Sequence, residues 1–370
     1  MQGSPNGRPR VAVLAPRMCL LGHDPCGGSE VMLWEDARLM EAAGVSVQVY
    51  GAGAKQGAPV NIIPVRTNVP LLTSLEYCAP FARRERGSVL MACNEPTLGG
   101  LAPDRTIVRF EWETPLPRYW KMPGWLPRFQ RARYLFLSDS DRELFLKNHD
   151  LIPRERTIVI PYFVDRNAFR PRAKEPGRAL RVGFAGQWIQ RKGCATLLAA
   201  WKMVGPACPG AELRFAGSEK LWKTHVAVPG VEEIARQVRQ AADEGWLRIA
   251  GEFSRSEMPR FWNELDVAVV PSFEEPFGLV ALEALACGVP VVASKVGGLA
   301  EIVVDGECGL LVPPKDAGAL AQALRTVLTD ESLRLRLAEG AIRRAAEYSA
   351  ERRTSALVDL LNDRTAAVKH

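Results

Sequence analysis

Two carboxylates stand eight positions apart in PSFEEPFGLVALEALACGVPVVAS, Pro271–Ser294: Glu275, followed directly by Pro276, Phe277 and Gly278, and Glu283. The Phe-Gly pair ahead of the apolar run LVALEALA predicts a loop that opens a helix near Leu279. The N–H groups of Gly278 and Leu279 then point out of a helix N-terminus, where they and the helix dipole favour an anion. In the loop, Glu275 can accept hydrogen bonds from sugar hydroxyls. Glu283 falls about one turn into the helix, within an apolar run. A buried carboxylate needs polar partners, and the vicinal hydroxyls of a ribose would supply them.

A second group of residues has matching chemistry. GFAGQWIQRKG, Gly183–Gly193, follows a predicted strand and opens a helix. Arg191 and Lys192 sit where a helix dipole disfavours cations, so a bound diphosphate is the better reason for them. A third candidate is CGGSE, Cys26–Glu30. Gly27 and Gly28 let the backbone approach a phosphate closely, although a plain turn with Ser29 as helix cap explains them as well. GAGAKQG, Gly51–Gly57, lacks the GxGxxG spacing and opens no clear helix, which argues against a dehydrogenase.

These residues need rigid elements to hold them. In the first half, Val11–Pro16, Val45–Tyr50, Val89–Cys93, Thr106–Phe110, Tyr134–Ser138 and Thr157–Ile160 read as strands, with a helix over Ser29–Ala43. The polar run RPRAKEPGRA, 170–179, reads as an interdomain linker. The alternation then restarts with Leu180–Gly186, Glu212–Gly217, Trp246–Gly251, Asp266–Ser272, Val289–Ser294 and Gly309–Pro313. Strands separated by helices predict parallel sheets, hence an α/β chain of two domains: 1–169, and 180–345 after the linker. Residues 346–370 read as a C-terminal helix expected to pack back toward the first domain. In open parallel sheets ligands sit beyond the carboxyl ends of the strands, where all three groups fall.

Composition narrows the partners. The chain has 370 residues, 47% hydrophobic and 24% charged, with no apolar run of membrane-spanning length and a polar N-terminus; a cytoplasmic protein is expected. Eight scattered cysteines form no CxxC pair, and with four histidines no metal site is expected. Of the net charge of +6, residues 81–133 hold +5 (ten Lys/Arg against five Asp/Glu), interleaved with Trp112, Trp120 and Trp125. That segment reads either as a solvated face over core tryptophans or as a surface for anionic lipid or a phosphorylated acceptor, at the inner face of a membrane. No nucleic-acid motif accompanies it.

With these residues in view, the second half resembles the retaining family-4 glycosyltransferases of GT-B fold. Leu265–Leu324 is similar almost end to end, with Glu275 and Glu283 matching the E-x7-E motif; the first half matches more loosely, through Gly27-Gly28, LSDSDRELF and IPYFVDRNAFRP. The resemblance implies two Rossmann-like parallel-sheet domains facing a central cleft. It implies a metal-independent, cofactor-free enzyme that moves a sugar, with retention, from a nucleoside-diphosphate sugar to a hydroxyl acceptor. The acceptor would be a glycan, a lipid-linked envelope precursor or a small molecule, and a UDP-sugar is expected ahead of a GDP-sugar.

Residue by residue, the resemblance assigns the ribose to Glu283 and a hydroxyl of the transferred sugar to Glu275. The amides of Phe277, Gly278 and Leu279 approach sugar and phosphates. Lys192 neutralises the leaving diphosphate, Gly28 adds an amide from across the cleft, and the loops after Gly217 and Gly251, including Phe253, lie near the base. Three positions depart from the family pattern. Gln187 replaces an arginine, leaving Arg191 as its substitute. IPYFVD replaces IPNGVD. Glu111 replaces a histidine, and either orients the acceptor hydroxyl and accepts its proton or pairs with the local arginines. Of the histidines only His23, near the glycine loop, is a candidate to meet the acceptor. The rival readings are a nucleotide-sugar epimerase or sugar phosphorylase of the same architecture, and a non-catalytic nucleotide-sugar or glycan binder.

Overall fold

Short runs of branched and aromatic residues bounded by glycine or proline form the strands, and every strand pair among the described residues is parallel. The architecture comes from a computed structural model, which describes residues 9–16, 20–21, 28–51, 53–54, 61–62, 70–111, 115–174, 177–219 and 230–368. The chain divides into two units, Met1–Tyr162 with Ala350–His370, and Phe163–Ser349.

In the first unit the strands are β1 (Arg10–Leu14), β2 (Leu20–Leu21), β3 (Ser46–Gly51), β4 (Gly53–Ala54), β5 (Asn61–Ile62), β6 (Val89–Cys93), β7 (Thr106–Arg109), β8 (Arg133–Phe136) and β9 (Thr157–Val159). Seven of them make one sheet in the order β5-β3-β1-β6-β7-β8-β9, while β2 and β4 form a separate pair. The second unit holds β10 (Arg181–Ala185), β11 (Glu212–Ala216), β12 (Arg248–Gly251), β13 (Val267–Val270), β14 (Val291–Ser294) and β15 (Gly309–Val312), ordered β12-β11-β10-β13-β14-β15. Each sheet grows outward on one side of its first strand and then returns to the other side. The reversal points, between β1 and β6 and between β10 and β13, are where such sheets open a crevice at their carboxyl ends.

Central strands are apolar on both faces, as helix-covered parallel strands require. Val11–Leu14, Val89–Cys93 and Val267–Val270 are buried throughout. The second core joins Phe184, Trp201 and Phe215 from one side of the chain's path to Leu324, Val327 and Leu337 near its end.

The polar run at 170–179 does not separate the units; the chain crosses at Tyr162/Phe163 and at Ser349/Ala350. The physical reason is that particular bonds within the second unit hold the backbone at Arg170 and Arg172 and the side chain of Arg178. The Arg172 amide donates to Asn263 Oδ1 at 2.7 Å, and Asn263 Nδ2 donates to the Arg170 carbonyl at 3.0 Å. Arg178 grips Asp266 with two bonds of 2.7 and 3.0 Å. The C-terminal helix Ala350–Val368 belongs to the first unit, where Leu357, Leu360 and Leu361 join the core of Val11, Val13 and Leu33.

Part of the basic segment 81–133 is structural. Trp120 packs with Phe110, Phe129 and Phe145, with Trp125 beside them, while Trp112 lies outside the described residues. Arg109 is buried and Arg105 donates to the carbonyls of Ala82, Glu85 and Ser88. The tryptophans at 120 and 125 therefore act as core residues. No described helix is long and apolar enough to cross a membrane.

Candidate active site

At the reversal point of the second sheet, the loop after β10 meets the loop after β13. The first runs from Gly186 through a 3-10 turn, Gln190–Lys192, into the helix Cys194–Val204. Gly193 closes that turn at φ +73°, and a Cβ there would lie 1.9 Å from the Pro271 carbonyl oxygen. The Phe273 amide donates to the Arg191 carbonyl at 2.7 Å. Only glycine permits this approach, and the two loops are fastened together by it. Replacing Gly193 with alanine is expected to cost at least about 2 kcal/mol, from the left-handed backbone and the clash together. Urea unfolding measures this; an unchanged midpoint would show that the loops are not clamped here.

The clamp brings the expected charged residues together. Lys192 Nζ lies 2.6 Å from Glu275 Oε2, and Ser272 Oγ donates to the same oxygen at 3.1 Å. The side chains are 19% and 11% exposed, so the pair is partly shielded from water yet reachable. A third loop, after β14, cups Glu275. The Gly298 amide donates to the Glu275 carbonyl at 2.9 Å, and Cβ atoms at Gly297 or Gly298 would come within 2.4 Å of the Glu275 or Phe277 carbonyl oxygens.

From Gly278 the chain enters the helix Leu279–Ala286, built of strong helix formers. Its first N–H groups have no partner inside the helix. The Phe277 ring is buried and meets Tyr348 edge-on, 6.0 Å between centroids. One turn on, Glu283 is 3% exposed. Its partners are protein groups: Arg255 Nη1 at 2.6 Å and Trp262 Nε1 at 3.3 Å. Burial raises the Glu283 pKa above the usual carboxylate range, while the Arg255 charge and the two hydrogen bonds oppose the rise. Its burial therefore does not by itself call for a ligand diol, as expected from sequence; Arg255 and Trp262 already answer it.

The remaining expected donor residues line the carboxyl ends of the neighbouring strands. Gly217 directly follows β11 and donates its amide to the Gly251 carbonyl at 2.8 Å at the end of β12; Phe253 comes next, against Phe261. Gln187 is half-buried just after β10, and Arg191 is exposed. In the first unit, Gly28 begins the helix Gly28–Ala42, while Gly27 and His23 lie outside the described residues. Glu111 does not face solvent. Its Oε1 lies 2.7 Å from Arg109 Nη2, and its amide donates to Asn94 Oδ1 at 3.1 Å. It pairs with an arginine, but as a buried residue inside the unit and not as a surface acid.

Sequence reasoning missed Ser272, Arg255, Trp262, Gly297 and Gly298. The glycine doublet after a strand was a readable signal of close backbone approach. Arg255 and Trp262 carried none, because their bond to Glu283 spans 28 and 21 positions.

Two parallel-sheet units, each reversing at its first strand, and a terminal helix returned to the first unit define the GT-B class. Residues 165–344 match the family described as Glycosyl transferases group 1. A D-inositol 3-phosphate glycosyltransferase of Saccharomonospora viridis is 28% identical over 97% of this chain and 95% of its own length. Two solved structures share the fold. Sucrose-phosphate synthase of Thermosynechococcus elongatus has a TM-score of 0.78 at 22% identity, over 97% of this chain and 100% of its own. Anabaena HepE in complex with UDP-glucose has a TM-score of 0.75 at 19% identity, over 96% and 99%.

Proposed function

We propose that the chain is a retaining glycosyltransferase whose donor is a nucleoside-diphosphate sugar, a UDP-sugar ahead of a GDP-sugar. The acceptor is a hydroxyl of a glycan, a lipid-linked precursor or a small molecule. The observation that carries this reading is the Lys192–Glu275 pair at the reversal point of the second sheet, beside the N-terminus of the helix Leu279–Ala286.

The pair suits a donor of split chemistry. Lys192 exchanges part of its contact with Glu275 for a diphosphate oxygen, and the free lone pairs of Glu275 accept from a sugar hydroxyl. As the glycosidic bond breaks, negative charge grows on the leaving diphosphate. Lys192 and the first N–H groups of the helix stabilise that charge without reorganising. Glu283, kept beside Arg255, offers its carboxylate edge to the ribose.

Thermal unfolding with UDP, GDP, ADP and their common sugar conjugates tests this, with wild type beside Glu283→Gln, each referred to its own ligand-free midpoint. A ligand at 100 times its Kd adds about 2.7 kcal/mol, a readable shift. A shift with one nucleotide family that shrinks in Glu283→Gln is expected. No shift with any of them would overturn the donor assignment.

A further inference from the structure

At the amino ends of β6, β7 and β8, opposite the carboxyl-end loops of that sheet, lies a groove of about 440 Å³. Five arginines from successive segments line it: Arg83, Arg86, Arg105, Arg128 and Arg131. They face one carboxylate, Asp104, which Arg131 engages at 2.9 Å. Arg105 is fixed by the carbonyls of Ala82, Glu85 and Ser88 at 2.5 to 3.0 Å and forms a rigid wall. Its burial lowers its pKa; Glu85 opposes that, and the nearby charge of Arg86 adds to it. Among the described residues Arg83, Arg86 and Arg128 have no carboxylate partner.

So many guanidinium groups around one concavity repel one another unless an anion joins them. The volume is that of a small-molecule site, and guanidinium forks match phosphate oxygens. Small side chains, Ala79, Ala82 and Ala102, keep the groove open, and among the described residues no aromatic ring lines it on which a base would stack. We propose that this groove is a second ligand site, for a small molecule carrying two or more phosphate charges, separate in every residue from the candidate donor site.

Calorimetry at low ionic strength with inorganic pyrophosphate tests the site in the full chain. The Lys192→Ala background removes the donor-site contribution. Saturable binding is expected to persist in Lys192→Ala and to fall about tenfold or more when Arg83→Gln, Arg86→Gln and Arg128→Gln are added. Asp104→Asn, which removes the carboxylate that lines the groove, is expected to tighten binding about two- to fivefold. A merely structural acid would not give that gain, and it decides the matter even where the triple variant folds poorly. Pyrophosphate binding that is lost in Lys192→Ala, or that ignores both sets of groove substitutions, overturns the proposal. So does a chain that fails to bind pyrophosphate yet floats with phosphatidylserine vesicles through these arginines; the surface would then serve a membrane.

Discussion

Lys192→Ala is expected to lower kcat for glycosyl transfer about 10²- to 10³-fold, the loss typical of removing one preorganised group from a developing anion. On the proposed mechanism Lys192 is the fixed cation nearest the leaving diphosphate. It extends from a 3-10 turn that Gly193 locks against Pro271, so its charge is placed before the donor arrives. Because the diphosphate gains charge as the glycosidic bond breaks, kcat should fall more than donor KM rises. Arg191 is exposed and stands one residue away, and it does not take over the role. Lys192→Arg should recover part of the rate, since it restores the charge with a different fork. Steady-state kinetics on the three proteins, with the donor found by thermal shift, gives the answer. A Lys192→Ala rate within threefold of wild type would remove Lys192 from the chemistry.

The elements that carry this site were legible where local chemistry decides the outcome. Val89–Cys93 and the helix start at Leu279 stand at their expected positions, because an apolar strand run and a Phe-Gly loop ahead of helix formers leave little choice. The types of Lys192, Glu275 and Glu283 were legible as well, but not their partners. Lys192 and Glu275 are 83 positions apart, and their pairing depends on the reversal of the sheet, which no local pattern encodes. Glu283 was read as waiting for a ligand because Arg255, from the loop after β12, is invisible as its neighbour in sequence. The run 170–179 was misread for a related reason. Polar composition marks a linker only when the backbone beneath it is also unheld, and here Asn263 bonds the backbone of Arg170 and Arg172 while Asp266 binds Arg178.

Asp36→Ala is expected to destabilise the first unit by about 3–5 kcal/mol, the cost of leaving a buried charge unpaired. Asp36 lies on the helix Gly28–Ala42 and takes both arginines of an internal network: Arg353 Nε at 2.5 Å and Nη2 at 2.6 Å, and Arg109 Nη1 at 2.8 Å. These side chains are 1–2% exposed. Burial alone would depress the Arg109 pKa. Tyr162, Glu111 and Asp36 outweigh it and hold the group well above the usual guanidinium range. Both guanidinium groups also lie over the Tyr162 ring, at 5.3 and 4.8 Å, and Arg353 donates to the carbonyls of Ile160 and Pro161. Tyr162 is the last residue before the chain leaves the first unit, and Ala350 the first on its return. The network therefore staples both crossings at one place, and Glu111 belongs to it through Arg109. Removing Asp36 leaves two cations facing each other. Removing the pair together, Asp36→Leu with Arg353→Met, leaves Arg109 with Glu111 and should recover part of the loss, a coupling that a double-mutant cycle in urea reads directly. Hydrogen exchange supplies the local readout. The amides of Ala350–Val368 should lose protection in Asp36→Ala before those of β13 and β14 do. Protection unchanged in that helix, with a loss of stability under about 1 kcal/mol, would mean that the leucine contacts alone hold the returning helix and that the buried charges are dispensable.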